Sequence, residues 1–265
     1  MELNGATILL TGATGGLGRA IARALDDRGA RVLLSGRRAE QLEELRSELR
    51  PGAACLPADL ADRSAPADLA ERAGAVDVLV ANAGLPASGR VDGFTPDEID
   101  RALDVNLRAP IQLTRALLPG MIERGRGHVV LVSSISGKVA SSGTALYSST
   151  KFGQRGFAAG LREDLHLSDI GVTVVCPGFV RDAGMFADSG ARLPRWVGTV
   201  TPEQVGEAVV KGIERDRAEI DVAPLSFRAG ALAGSIAPGT VAKIQRRLGS
   251  DRLVKAIAEG QRAKR

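Results

Sequence analysis

The stretch TGATGGLGRAIARAL, residues 11–25, decides how this chain folds. It follows a short apolar run, ATILLT (residues 6–11). Glycines stand at Gly12, Gly15, Gly16 and Gly18, ahead of Leu17, Ile21 and Leu25 at helical spacing. A strand, a glycine turn and a helix in that order bring free N–H groups and the positive end of a helix dipole to one point. Glycine also removes the Cβ that would keep a ligand off the backbone. That point suits a phosphate or pyrophosphate. The spacing is G-x-x-x-G-x-G, not the commoner G-x-G-x-x-G, and a tight turn without a ligand would use the same residue types.

The pattern repeats outward from this turn. RVLLS (31–35), AACLPA (53–58), VDVLVAN (76–82), GHVVLVSS (127–134), VTVVCP (172–177) and EIDV (219–222) read as further strands. Between them lie helical segments: 39–49, closed by Pro51 and Gly52; 96–118, with Thr95 as N-cap; 145–167; and one beginning near Thr201–Pro202. Short apolar strands separated by helices imply parallel pairing with both faces covered. The expected fold is α/β, a Rossmann-type doubly wound sheet of about seven parallel strands with helices on both faces. No linker, repeat or low-complexity segment interrupts it, so residues 1–265 read as a single dinucleotide-binding and catalytic domain.

Composition narrows the class further. The chain has 265 residues, 44% hydrophobic and 25% charged, as an ordinary globular protein has. Cys55 and Cys176 sit in strand-like runs and read as buried, reduced thiols rather than a disulfide or a metal site; no metal is expected. No signal peptide is evident and no apolar run reaches the length of a membrane span, so the cytoplasm is the expected compartment. The net charge of +4 is uneven: Lys243 to Arg265 carries eight basic and two acidic residues. The basic character belongs to the tail, and a nucleic-acid partner is not expected.

Three further features carry chemistry. In YSSTK, residues 147–151, the four-residue spacing puts Tyr147 and Lys151 on one helix face. An ammonium beside a phenol favours the phenolate and is expected to lower the tyrosine pKa toward working pH, which makes a usable general acid or base. Ser134 ends a strand at the carboxyl edge, where doubly wound sheets bind ligands, and its hydroxyl can bond a substrate carbonyl. Asn106 lies within a helical segment, an unfavourable place for asparagine. Each has a plainer reading as well: a surface Tyr–Lys pair, a strand-end serine bonding backbone, an exposed asparagine.

Taken together, TGATGGLG (11–18), Asp59 in PADL, ANAG (81–84), Asn106, Ser134, YSSTK (147–151) and CPGFV (176–180) resemble the classical short-chain dehydrogenase/reductases over roughly residues 5–222. The resemblance implies that Gly12, Gly16 and Gly18 hold a cofactor pyrophosphate, with Thr14, Gly15 and Leu17 in the same turn. It implies that Asp59, beside Leu60, contacts the adenine and that Asn82, Ala83 and Gly84 pack beside its ribose. It also implies a catalytic set: Tyr147 as proton donor, Lys151 on the nicotinamide ribose, Ser134 orienting the carbonyl, and Asn106 holding a water in a relay toward the lysine. Pro177, Gly178 and Val180 would border the nicotinamide. The implied activity is hydride transfer between nicotinamide and a ketone or secondary alcohol. The alternative is a cofactor-sensing binding protein without turnover, which would have no need of a proton donor. One departure concerns the nicotinamide end: Asp182 stands where the family often has a threonine that holds the carboxamide.

At the end of the second strand, RVLLSGRR places Gly36 where an NAD-specific member carries an acidic residue. Arg37 and Arg38 follow; Arg37 is the first choice for a 2′-phosphate, with Arg38 and Arg19 assisting, and NADP(H) is the expected cofactor. The substrate loop is expected at 181–200, where Met185, Phe186, Leu193, Pro194 and Trp196 suit an apolar acyl, steroid or terpenoid-like substrate. The C-terminal extension, 223–265, ends in a basic amphipathic tail with Val241, Ile244, Leu248, Leu253, Val254 and Ile257. The favoured reading docks this tail on its own domain or a neighbouring subunit; peripheral contact with anionic lipid is the lesser one. A homo-oligomer, dimer or tetramer, is expected.

Overall fold

The computed structural model describes residues 1–191, 193, 197–247 and 250–261. Within these, the side chains at 235, 238, 244–246 and 250–253 are not described. Seven strands form one sheet: β1 (Thr7–Thr11), β2 (Arg31–Gly36), β3 (Ala54–Pro57), β4 (Val78–Ala81), β5 (Gly127–Val132), β6 (Ile170–Pro177) and β7 (Glu219–Val222). All pair in parallel, in the order β3-β2-β1-β4-β5-β6-β7. The chain builds outward from β1 to β3, then returns to lay β4 on the other side of β1. That reversal opens a crevice at the carboxyl ends of β1 and β4, the place where such sheets take ligands.

The strands are apolar runs because both faces are covered. Ile8 and Leu10 enter one core with Val78, Val80, Val130 and Val132. Leu9, Leu79, Val129 and Leu131 enter the other. Successive strand side chains point to opposite faces, so one run of sequence fills two cores. The first core is closed by α1 (Gly16–Asp26), α2 (Ala39–Glu48) and α8 (Pro202–Glu214); the second by α3 (Ala65–Ala73), α5 (Ala109–Glu123) and α6 (Ala145–Asp164).

Two helix starts follow their local signals. Thr95 caps α4 (Pro96–Leu103) through a capping box with Glu98, and Thr201 caps α8 in the same way with Gln204. Elsewhere the helices depart from the sequence reading. α3, which buries Pro66, Leu69 and Ala70, lies in a segment where the sequence reading places no helix. The expected helix over 96–118 is instead α4, a π-helical stretch at Asp104–Arg108, then α5. Pro110 explains the change of pitch in part: it has no N–H to give to the Asn106 carbonyl four residues back. After β6 comes the short α7 (Gly184–Ala187), and after β7 the extension forms α9 (Leu225–Ile236), α10 (Pro238–Arg247) and α11 (Ser250–Gln261). Among the described residues no helix is long and apolar enough to cross a membrane. Cys55 is half-buried, Cys176 is buried, and both are free thiols.

Candidate functional site

The glycine turn closes against its neighbours in ways other residues do not allow. Gly12 has φ +66°, and a Cβ there would lie 2.8 Å from the Ala83 Cα. At Gly18 a Cβ would meet the Gly12 carbonyl oxygen, which is what lets α1 start directly behind the turn. No side chain caps α1 and its first turn carries no acidic residue, so the positive end of its dipole faces the crevice uncompensated.

This crevice is a cleft of about 500 Å³. Gly12, Thr14, Gly15, Gly16, Leu17 and Gly18 line it from the turn, Arg37 and Arg38 from the end of β2, Asp59 and Leu60 from the segment after β3, and Asn82, Ala83 and Gly84 from the end of β4. Asn82 ties two of these segments together: its Nδ2 donates to the carbonyls of Thr11 (3.0 Å) and Gly12 (3.1 Å). Arg37 and Arg38 are exposed, and neither forms an ion pair among the described residues. Arg19 differs from expectation: its guanidinium is held by Glu44 (3.0 Å) and Glu48 (3.3 Å) on α2, and it does not line the cleft. The cleft also has a wall that motif reading missed. Arg101 of α4 and Val105 of the π-helical stretch line it. The Arg101 Nε is buried without a hydrogen-bond partner. The cleft is long, phosphate-ready at the helix end and cationic near β2, so its residues fit a dinucleotide.

A second cavity of about 240 Å³ adjoins the first. The two share Leu17, Asn82, Gly84, Gly184 and Met185 as walls. Ser134, Tyr147 and Lys151 open into this cavity, with Pro177, Gly178 and Val180 along the end of β6. The Ser134 Oγ accepts from Ser136 N (3.1 Å) and donates weakly to the Pro177 carbonyl (3.4 Å). Met185 and Phe186 of the expected substrate loop line the cavity and Leu193 does not; Pro194 and Trp196 lie outside the described residues. Phe186 packs on Phe179 (4.9 Å between ring centroids), which packs edge-on against Phe227 of α9 (5.5 Å). All three rings face the cavity. Val254, Ile257 and Gln261 of α11 close its remaining side, and the Gln261 Nε2 donates to the Met185 carbonyl at 2.9 Å. The tail is therefore docked on its own chain. Leu248 lies outside the described residues, as do the side chains of Ile244 and Leu253. Sequence reading gave α11 an apolar face but not what that face covers, since the contact spans about seventy residues of chain.

The expected lowering of the Tyr147 pKa is not what the structure shows. Desolvation pushes the phenol up to about 12, against a smaller lowering by a hydrogen bond with Ser134. The Lys151 Nζ stands 5.7 Å from the ring centroid and spends its donors on the Val132 carbonyl (2.9 Å) and the Gln154 Oε1 (3.2 Å). Desolvation lowers Lys151 itself to about 8. Burial disfavours both charges: near neutral pH the phenol stays neutral, and the Lys151 ammonium gives up its proton more readily than a free lysine does.

Asn106 lines neither cavity. It is fully buried in the π-helical stretch, where its Oδ1 accepts from Leu85 N (2.6 Å) and its Nδ2 donates to the Leu85 carbonyl (3.0 Å). The side chain thus clamps the backbone just past Gly84. Asp182, the departure noted above, has φ +67°, is exposed beside Arg181 (3.3 Å) and lines neither cavity. Among the described residues no group of three His, Cys, Asp or Glu side chains could hold a metal ion.

Comparison with known proteins agrees with this architecture. The family model described as short chain dehydrogenase matches residues 6–193. A ketoacyl reductase, HetN, from a Nostoc species is 35% identical over 259 residues, covering 93% of this chain and 90% of that protein. Among solved structures, a short-chain dehydrogenase from Sphingobium yanoikuyae in complex with NADPH has a TM-score of 0.77 at 29% identity, covering 87% of this chain and 93% of its own. The closed form of a serine dehydrogenase complexed with NADP+ has a TM-score of 0.74 at 30% identity, covering 83% and 95%. The chain belongs to the short-chain dehydrogenase/reductase family. It is an oxidoreductase of nicotinamide cofactors that acts on CH–OH and C=O groups.

Proposed function

We propose that the chain is an NADP(H)-preferring carbonyl reductase, or in reverse an alcohol dehydrogenase, for apolar substrates. One observation carries this reading: Ser134, Tyr147 and Lys151 converge on a cavity that shares its walls with the nucleotide cleft. When bound, the nicotinamide supplies or accepts the hydride. The chain's own residues do the rest. Gly12, Gly16 and Gly18 admit the pyrophosphate to the α1 N-terminus, and Asp59, Asn82, Ala83 and Gly84 border the adenosine. Arg37 and Arg38 meet a 2′-phosphate. Ser134 and Tyr147 hold the substrate oxygen, where negative charge develops. Tyr147 stays a neutral phenol well above neutral pH, so it has a proton to give. Lys151 orients the nicotinamide ribose. Asn106 acts from below by fixing the segment at Gly84 and Leu85.

The substrate side is apolar because Phe179, Phe186, Phe227, Val254 and Ile257 form it. A ketone carried on an acyl or polycyclic apolar body fits that lining, and the ketoacyl reductase relative supports the same class. The test is cofactor absorbance during incubation with a panel of apolar ketones and secondary alcohols. Turnover with several members is the expected result. Tight NADPH binding with no turnover across the panel would instead favour a cofactor-binding protein without catalysis.

A further inference from the structure

A buried amide joins two groups of the site. Gln154 lies on α6, one turn beyond Lys151, and is 1% exposed. Its Oε1 accepts from the Lys151 Nζ at 3.2 Å, and its Nε2 donates to the Asn106 main-chain carbonyl at 2.6 Å. That carbonyl lacks its α-helical partner because the residue four positions on is Pro110, which has no N–H. A carbonyl without its α-helical donor and an ammonium, both buried, thus face one another across a gap that one side-chain amide spans. A water could bridge the same two groups, since it also donates and accepts.

We propose that Gln154 takes the place of such a bridging water and is the positioning residue that holds the Lys151 amine and stabilises its charged form. The inference rests on the functional reading above only for the importance of Lys151. The amine also donates to the Val132 carbonyl at 2.9 Å, a neutral partner like the amide. Tyr147 and Cys176 are the titratable groups facing Lys151 from α6 and β6, and neither is charged near neutral pH, burial holding both at about 12. The charged members of the π-helical stretch turn elsewhere: Asp104 pairs with Arg63 (3.1 Å) and Arg108 (3.8 Å). Arg155, next to Gln154, pairs with Glu219 (2.6 Å). Among the described residues no carboxylate pairs with Lys151. An amide also differs from water in one respect that matters: it fixes the amine but does not readily pass a proton along. With Gln154 in place, the Asn106 carbonyl is an anchor for the lysine rather than the end of a proton wire.

The experiment titrates Lys151 directly, by NMR of the cofactor-free full-length protein labelled at lysine Nζ. The chain has only six lysines, and Lys151→Met identifies the resonance. Gln154→Met keeps the side-chain length and removes both hydrogen bonds. It is expected to move the Lys151 titration to lower pH by about half a unit or more. Gln154→Ala leaves room for water and is expected to fall between Gln154→Met and the native protein. Gln154→Glu keeps the shape, sets a carboxylate on the amine and is expected to move the titration upward by about one unit. A packing role predicts the opposite ranking, with Ala further from native than Met, and that ranking would overturn the proposal. So would an unmoved Lys151 in the Met or Glu variant, whichever folds. Because no substrate is involved, absence of turnover in the native protein would sink the functional reading and leave this result standing.

Discussion

The side-chain amide of Gln261 donates to the main-chain carbonyl of Met185 at 2.9 Å, so the last described helix holds the loop that borders the substrate cavity. Removing this bond by Gln261→Ala is expected to raise KM for a bulky apolar substrate about two- to tenfold, the range of one ordinary hydrogen bond. Gly260→Val is the stronger test, because a Cβ at Gly260 would lie 2.0 Å from the Ser189 carbonyl oxygen and must displace α11. Deletion of residues 250–265 should leave a cooperatively melting, nucleotide-binding protein with relaxed substrate selectivity. Unchanged KM values in all three variants would show that α11 does not shape the site.

Tyr147→Phe is expected to lower kcat by about two to four orders of magnitude, the usual worth of a positioned general acid. Cofactor affinity, measured by fluorescence titration, should stay within about threefold, since the ring remains and only the hydroxyl is lost. Near-native turnover would rule out the proton-donor role.

Cofactor choice turns on the end of β2. NADP(H) should exceed NAD(H) by at least about tenfold in kcat/KM, roughly 1.4 kcal/mol, a modest demand on one guanidinium–phosphate contact. A Cβ at Gly36 meets nothing nearer than the Thr14 Oγ1 at 3.4 Å, so an aspartate fits there. Gly36→Asp with Arg37→Ser should move the preference toward NAD(H). Equal efficiency with both cofactors in the native protein would refute the assignment of Arg37 and Arg38.

His128 provides a pH prediction away from the site. It is 1% exposed on β5, with its Nε2 2.8 Å from the Thr173 Oγ1. Thr173 gives its own proton to the Arg217 carbonyl (2.7 Å), so the imidazole donates to it. Desolvation lowers the His128 pKa from 6.5 to about 4. The unfolded chain therefore binds the extra proton first as pH falls, and stability drops between about pH 6.5 and 4. The loss at the acid end is on the order of 3 kcal/mol. His128→Gln, which keeps a donor toward Thr173, should flatten the melting temperature across that window. An identical acid profile in the variant would contradict the shift.

Much of the molecule was legible in the chain, and the reason is locality. The alternation between the two cores in runs such as Ile8-Leu9-Leu10 and Val78-Leu79-Val80 is set by backbone geometry over a few residues. The capping boxes at Thr95 and Thr201 span three residues each. The glycine turn needs only its own spacing to specify a phosphate-ready helix start, and the residues read as cofactor contacts from the turn through Gly84 all line the nucleotide cleft.

Other features depended on groups brought together from afar. The sequence predicts a lowered tyrosine pKa from a lysine four residues on, but desolvation by distant segments reverses the sign. Arg101 reaches the nucleotide cleft only because α4 packs beside it. Asn106 is expected to hold a water in a relay toward the lysine, yet its side chain lies on Leu85 in the π-helical stretch, and its carbonyl goes to Gln154, forty-eight positions away. The extension shows an amphipathic face in sequence, but only packing reveals that Val254, Ile257 and Gln261 line the cavity that holds Ser134 and Tyr147. Sequence thus determined the sheet, the helices α1, α2, α6 and α8 and the glycine turn, because short-range backbone geometry specifies them. Tertiary structure decided the pKa shifts of Tyr147 and Lys151, the hydrogen bonds that hold Lys151, and the lining of the second cavity by α11. Those depend on desolvation and on hydrogen bonds between residues that meet only after the chain has folded.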